Sequence, residues 1–255
     1  MPNSPNPAHA ELTAGLAQLA ELHAERAANP ILAGALERVA TWQARRLRMT
    51  YADLAAQDRY ADAISFFQSD LYGGADFAQR DADLARVVPV MAKMLPARVI
   101  ETIGKAVELH VLSQTLDRSL LARLPRADGQ FSVAEYCKAY RRTGKRPERE
   151  RQIRLTSEIG AALEGYVKKP LIHAALVMMR QPARMAGLSA LHDFLERGFA
   201  AFRKMNGADE FLATIESRET ALMESLYAGD TAAFPDPLQP QPRQAAERRP
   251  ARAPV

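Results

Sequence analysis

The chain has 255 residues, 47% of them hydrophobic and 25% charged, with a formal charge of +4. That balance excludes a disordered chain, a collagen and a disulfide scaffold, and leaves apolar material for one good core or two small ones. Alanine supplies 47 residues, aromatics only 7% and glycine 13 residues, which is the composition of a helical chain.

Residues 1–9 carry Pro2, Pro5 and Pro7 but no basic n-region and no apolar run. They read as a loose N-terminus and not as a secretory signal. Leu12, Leu16 and Leu19 give the first helical stripe. Asn29-Pro30 reads as an N-cap and N1 proline before a second stripe of Leu32, Leu36, Val39 and Trp42. Thr50 to Asp53 has the form of a capping box with Asp in the Glu position. Leu54, Ala61, Ile64, Phe67 and Leu71 share the face that follows. Gly73-Gly74 ends that helix and Asp76 can cap the next, whose stripe of Leu84, Val87, Val88, Met91 and Met94 contains Pro89. An interior proline predicts a kink or a break there.

Pro96 opens a helix running to about Leu124, and Asp128-Gly129 makes a turn. Ser132 to Glu135 is a proper capping box, closed by Gly144. Helices follow from about Pro147 to Val167 and from Pro170, the latter expected to break at Pro182. Leu188, Leu191, Leu195, Phe199 and Phe202 form a stripe stopped by Asn206-Gly207. Phe211, Ile215, Leu222 and Leu226 form the last, ending at Gly229. No stretch alternates as a strand does. The expected fold is all-α: a bundle-like domain of about nine helices over residues 10–229. The Pro/Arg-rich tail, 230–255, has too little to bury to offset its ordering entropy and is expected to stay disordered.

Phosphate-loop, dinucleotide, Gly-x-Ser-x-Gly, His-Glu-x-x-His and Cys-x-x-Cys motifs are absent, as is any Glu-x-x-His pair of the di-iron bundles. The lone Cys137 excludes an internal disulfide and a cysteine-based zinc site. The longest strongly apolar run, Leu171–Met179, is nine residues, about half a bilayer span. No membrane association is expected, and the expected address is the cytoplasm.

The densest stretch of unusual residues holds Asp70, Tyr72, Asp76, Arg80, Asp81 and Asp83. Carboxylates clustered beside a glycine turn can hold Mg²⁺ or Ca²⁺, but neither EF-hand spacing nor a DDxxD is present. The plainer assignment makes Asp76 a cap, sets Asp81 and Asp83 on the N-terminal dipole of a helix, and bridges Arg80 to Asp70. The string FFxxDLYGxxDFxxRDxDLxRVxP, starting at Phe66, resembles a block of an uncharacterised family of bacterial all-helical proteins. Phe194–Met205 resembles a later stretch of the same family. The resemblance covers about residues 50–228 and implies a helical fold and no activity.

His9 and His23, near the N-terminus, read as solvated. His173 lies in a segment apolar all round, which predicts a central buried helix. His110, His173 and His192, with Met178, Met179 and Met185 as soft neighbours, can ligate haem iron or a metal. Against that, a core histidine ordinarily makes one hydrogen bond and methionine fills gaps; no cofactor is predicted. His110, Gln114 and Asp117 form one polar stripe at i, i+4 and i+7, and Glu219 interrupts an apolar face. These residues can line an internal polar pocket, where Glu219 needs a histidine or arginine from another helix.

From Lys138 to Arg154, eight basic residues face two acidic ones, a local net of +6. Arg141, Arg142, Lys145 and Arg146 can therefore grip a polyanion such as nucleic acid, or lie on a solvated helix face. Two functions are consistent with these features. One is a non-catalytic binding or interaction module, with a protein partner expected first. The other is a small-ligand, haem or metal-binding protein, enzymatic or not, using the core histidines and the Asp70–Asp83 block.

Overall fold

A computed structural model of the chain describes residues 7–68, 77–91, 96–126, 130–232 and 234–238, with backbone alone at 77–78 and 89–91. The described residues form eleven α-helices and no strand: α1 (Pro7–Ala28), α2 (Pro30–Thr50), α3 (Ala52–Ala55), α4 (Asp58–Phe66), α5 (Phe77–Met91), α6 (Ala97–Leu121), α7 (Val133–Thr143), α8 (Arg146–Val167), α9 (Pro170–Met185), α10 (Ser189–Met205) and α11 (Asp209–Ala228). No helix among them is long and apolar enough to cross a membrane.

Local chemistry sets most of the boundaries. Asn29 caps α2 by accepting from the Leu32 amide at 3.0 Å, and Pro30 begins the helix with no amide to lose. Ser132 and Glu135 close a reciprocal capping box on α7, which stops at Gly144 in the left-handed region, φ 65°. Asn206 and Gly229 end α10 and α11 in the same way, at φ 49° and 89°.

Several expectations are corrected. The helix count is eleven rather than about nine, in part because the segment after Thr50 is two helices, with α3 a single turn. Thr50 caps nothing; it ends α2, and its hydroxyl donates back to the Arg46 carbonyl. α5 extends past Pro89 to Met91, and α9 runs through Pro182 to Met185. Pro182 falls in the last turn of α9, and the carbonyls of Pro182, Ala183 and Arg184 are taken by amides of the turn that follows. The N-terminus is helical from Pro7, so residues 7–9 belong to the domain. α9 is not a central buried helix: only Ala183 is buried, while Leu171, Met178 and Met185 are 84%, 77% and 88% exposed. It packs on α10 and α8 at the margin of the bundle. Periodicity cannot see this, because a helix apolar all round carries no signal for which side meets the core.

α6 is the organising helix, packed against α1, α2, α7 and α8. α1 lies close to it because Gly15 has no side chain: a Cβ there would come within 2.8 Å of Val107 Cγ1. The core falls into three apolar clusters. One joins α1, α5 and α6 through Leu12, Leu19, Val88 and Val107. A second joins the end of α2 to α4, α10 and α11 around Tyr60, Phe202 and Phe211. The third joins α2, α6, α7 and α11 around Trp42.

The third cluster takes in part of the tail, and there the expectation of a wholly loose segment from 230 fails. Phe234 is buried, with its ring 5.9 Å from Trp42 and 5.6 Å from Tyr136. Trp42 and Tyr136 stack on each other at 4.2 Å. An aromatic ring brings enough apolar area to order the few residues that carry it. Phe234→Ala should therefore destabilise the fold by about 3 kcal/mol, and deletion of residues 230–255 by at least as much. Urea midpoints check both; a truncated chain with an unchanged midpoint would contradict this packing.

Candidate functional site

The polar stripe of α6 faces inward. His110, Ser113, Gln114 and Asp117 line a partly open cavity of about 120 Å³ together with Gln43 and Arg46 of α2, Tyr136 and Tyr140 of α7, Arg149 and Gln152 of α8, and Glu219 of α11. Phe234 lines it as well, so the ordered start of the tail forms part of its wall.

Two of the cavity's charges are matched. Arg46 donates to both oxygens of Glu219, at 2.5 and 3.0 Å, and the Tyr51 hydroxyl donates to the same carboxylate at 2.7 Å. Asp117 accepts from Gln43 Nε2 at 2.9 Å. Burial pushes the Asp117 carboxyl up, against the opposing pull of Arg149, the Gln43 hydrogen bond and His110.

Arg149 is different. It is 5% exposed, its Nη1 donates to Gln152 Oε1 at 3.2 Å, and its guanidinium lies 4.6 Å from the centre of the Tyr140 ring. Its Nε and Nη2 have no partner among the described residues, and neither does Arg46 Nε. Burying donors without partners costs about 1–3 kcal/mol each, more when the group is charged. The Nε–Nη2 edge is also the side of a guanidinium that grips a carboxylate with two parallel hydrogen bonds.

Beside the cavity, His110 takes part in a second group. Its Nε2 lies 3.0 Å from Asp81 Oδ2, and His23 Nε2 lies 2.9 Å from the same oxygen. Arg80 holds the other oxygen, Oδ1, through Nε at 3.1 Å and Nη2 at 3.0 Å. Burial alone would raise the Asp81 carboxyl; hydrogen bonds from His110 and His23, with the charge of Arg80, hold it well below the ordinary range.

Of the residues expected to form a site, Asp70, Tyr72 and Asp76 lie outside the described residues. Arg80 binds Asp81, its neighbour in sequence. Asp81 and Asp83 are buried and lie beyond the first turn of α5, which holds no acid, so they do not serve its N-terminal dipole as expected. His110, Gln114, Asp117 and Glu219 meet at one cavity. His173 does not join them. It lies in a surface groove with its ring over Phe199 at 5.9 Å, and the methionines expected beside it, Met178, Met179 and Met185, are exposed. His192, on α10, donates through Nε2 to the Leu176 carbonyl of α9 at 2.9 Å. In the basic segment, Lys145 pairs with Glu148, Arg146 with Glu150, and Arg151 with Glu108 and Glu158. Arg141 and Arg142 are exposed.

His23, Gln43, Arg46, Tyr136, Arg149 and Gln152 are absent from the expected site. Proximity to the N-terminus makes His23 read as solvated, and Arg149 is hidden in sequence among surface cations. A signal for Arg149 does exist: with Gln152 it sits at i and i+3, followed by Leu155, on one face of α8.

The chain belongs to a family of domains of unknown function, DUF8198, whose model matches residues 22–233. No curated protein and no solved structure matches it.

The raised Asp117 carboxyl has a consequence for stability. A group whose native pKa lies above its unfolded value of about 3.9 favours the fold when protonated. That contribution is fully present below the unfolded value and is lost as pH rises through the native one. Asp117→Asn keeps an oxygen for Gln43 and removes the charge, so its stability relative to wild type should increase from about pH 4 to about pH 7. Urea midpoints of both proteins across that range test this, and a constant difference would contradict it.

Proposed function

We propose that the protein is a non-catalytic binding protein whose ligand is a small carboxylate, held in the cavity between α2, α6, α7, α8 and α11. The observation that carries this reading is the buried guanidinium of Arg149, a residue of the cavity lining, whose Nε and Nη2 have no partners among the described residues. The charges support an anion. The lining carries three arginines, Arg26, Arg46 and Arg149, against two carboxylates, Asp117 and Glu219, and Glu219 is taken by Arg46.

Size narrows the ligand. A cavity of about 120 Å³ corresponds to about four water molecules at ~30 Å³ each. It is well under the ~300 Å³ at which drug-sized ligands begin. A short-chain acid suits it, with the carboxylate on Arg149 and any hydroxyl or carbonyl oxygen facing Gln152, Ser113 or Tyr136. Gln152 and the Tyr140 ring hold the guanidinium in place before binding, which limits the ordering cost. The non-catalytic part of the reading is supported by Cys137: it is fully buried, and burial pushes its thiol up to about 11, the reverse of an activated nucleophile. The reading sets the protein in the bacterial cytoplasm. The likeness of the Phe66–Pro89 block supports the first of these, and an unpaired cysteine thiol the second.

The test is isothermal titration and thermal shift against a panel of short-chain mono- and dicarboxylates. At least one should bind wild type and raise its melting temperature. Arg149→Met, which removes an uncompensated buried charge and keeps most of the volume, should fold and bind that acid at least about 100-fold more weakly, from two lost charged hydrogen bonds of ~1.5–3 kcal/mol each. A panel with no binder, or an Arg149→Met protein that binds like wild type, would overturn the reading.

A further inference from the structure

We infer that His23, Asp81 and His110 form a binding site for a divalent first-row transition ion of the Zn²⁺ type, with Asp81 as a one-oxygen ligand through Oδ2. The three ligand atoms come from α1, α5 and α6 and all lie within 4.8 Å of one another. Both histidines present Nε2 to the same carboxylate oxygen, at 2.9 and 3.0 Å.

A tetrahedral ion with bonds of about 2.0–2.1 Å needs ligand atoms about 3.3 Å apart. The present separations to Asp81 are therefore a few tenths of an ångström short, so to admit the ion both rings have to withdraw from Oδ2 and His110 Nε2 has to leave Gln114 Nε2, now 3.1 Å away. Arg80 gives the carboxylate its orientation. It occupies Oδ1 with two hydrogen bonds and leaves Oδ2 for the histidines, while its own guanidinium rests 4.8 Å above the Phe194 ring. Such an outer partner, fixing a ligand through its far atom, is a regular part of metal sites. Asp81 is 6% exposed and the histidine side chains 18% and 17%, so the site is sunk into the bundle with access from one side for the ion and a water.

Two imidazoles with one carboxylate select a borderline ion. Mg²⁺ and Ca²⁺ take oxygen ligands, and no cysteine belongs to the cluster to favour softer ions. Net ligand charge points the same way: Arg80 offsets Asp81, so affinity has to come from nitrogen donation. The second carboxylate–histidine group, His192, Asp193 and Glu196, is already engaged. Its Glu196 is held by Arg180 at 2.7 Å.

The test uses the full chain after chelator treatment and buffer exchange, titrated with Co²⁺ and with Zn²⁺. Wild type should take up one equivalent of Zn²⁺ by calorimetry, with a rise in melting temperature. With Co²⁺ it should show visible d–d absorption of a low-symmetry site. His23→Gln and His110→Gln should each weaken binding more than about tenfold and abolish the absorption. His173→Gln, in the surface groove, should bind like wild type. The circular dichroism of each variant reports whether it has folded. Wild type that takes up no Zn²⁺, or folded His23 and His110 variants that bind as wild type does, would overturn the inference.

Discussion

Helix α6 carries His110, Gln114 and Asp117 into the interior on one face, and burying that stripe obliges the surrounding helices to answer it. A polar group taken out of water has to find a partner or bear the desolvation penalty. α2 answers with Gln43, α5 with Asp81, and α1 with His23 behind it. α8 brings Arg149 and Gln152, and Gln152 reaches back to the Ser113 hydroxyl at 2.8 Å. The apolar clusters hold the helices together at the two ends and along α1. The position of the helices relative to one another around the middle of α6 is set by these polar pairs, since apolar contacts are non-directional and hydrogen bonds are not.

The arrangement is asymmetric in what it satisfies. Glu219 receives three hydrogen bonds and Asp81 four. The unmet groups of the cavity are donors, on Arg149 and Arg46. An interior built only for stability has no reason to carry a surplus of buried cationic donors, and replacing such groups by apolar ones is often stabilising. On the proposed reading that surplus is what the ligand meets. The cavity and the histidine–aspartate cluster meet at His110, so an occupant of either one acts on the same ring.

Much of the fold is legible in the sequence because helix signals are local. The Ser132 capping box, the Asn29 cap, and the left-handed stops at Gly144, Asn206 and Gly229 each depend on residues within one turn, and each stands where sequence predicts it. The i, i+4, i+7 spacing of His110, Gln114 and Asp117 is enough to put those three on one helix face. The failures share one cause. The exposed α9 and the packed Phe234 both depend on what lies across the bundle, and no window of sequence contains that.

By itself, the sequence determined the helices, their caps and the existence of an inward polar stripe, since propensity, capping and periodicity act over a few residues. Only the tertiary structure decided the partners. His23 and Asp81 are 58 residues apart and Arg46 and Glu219 are 173 apart. Whether Arg149 is a surface cation or a buried one turns on which side of α8 meets α6 and α7, among neighbours that in sequence look equally basic. Charge and hydrophobicity are properties of a residue; burial and pairing are properties of its surroundings, and those form only when the helices pack.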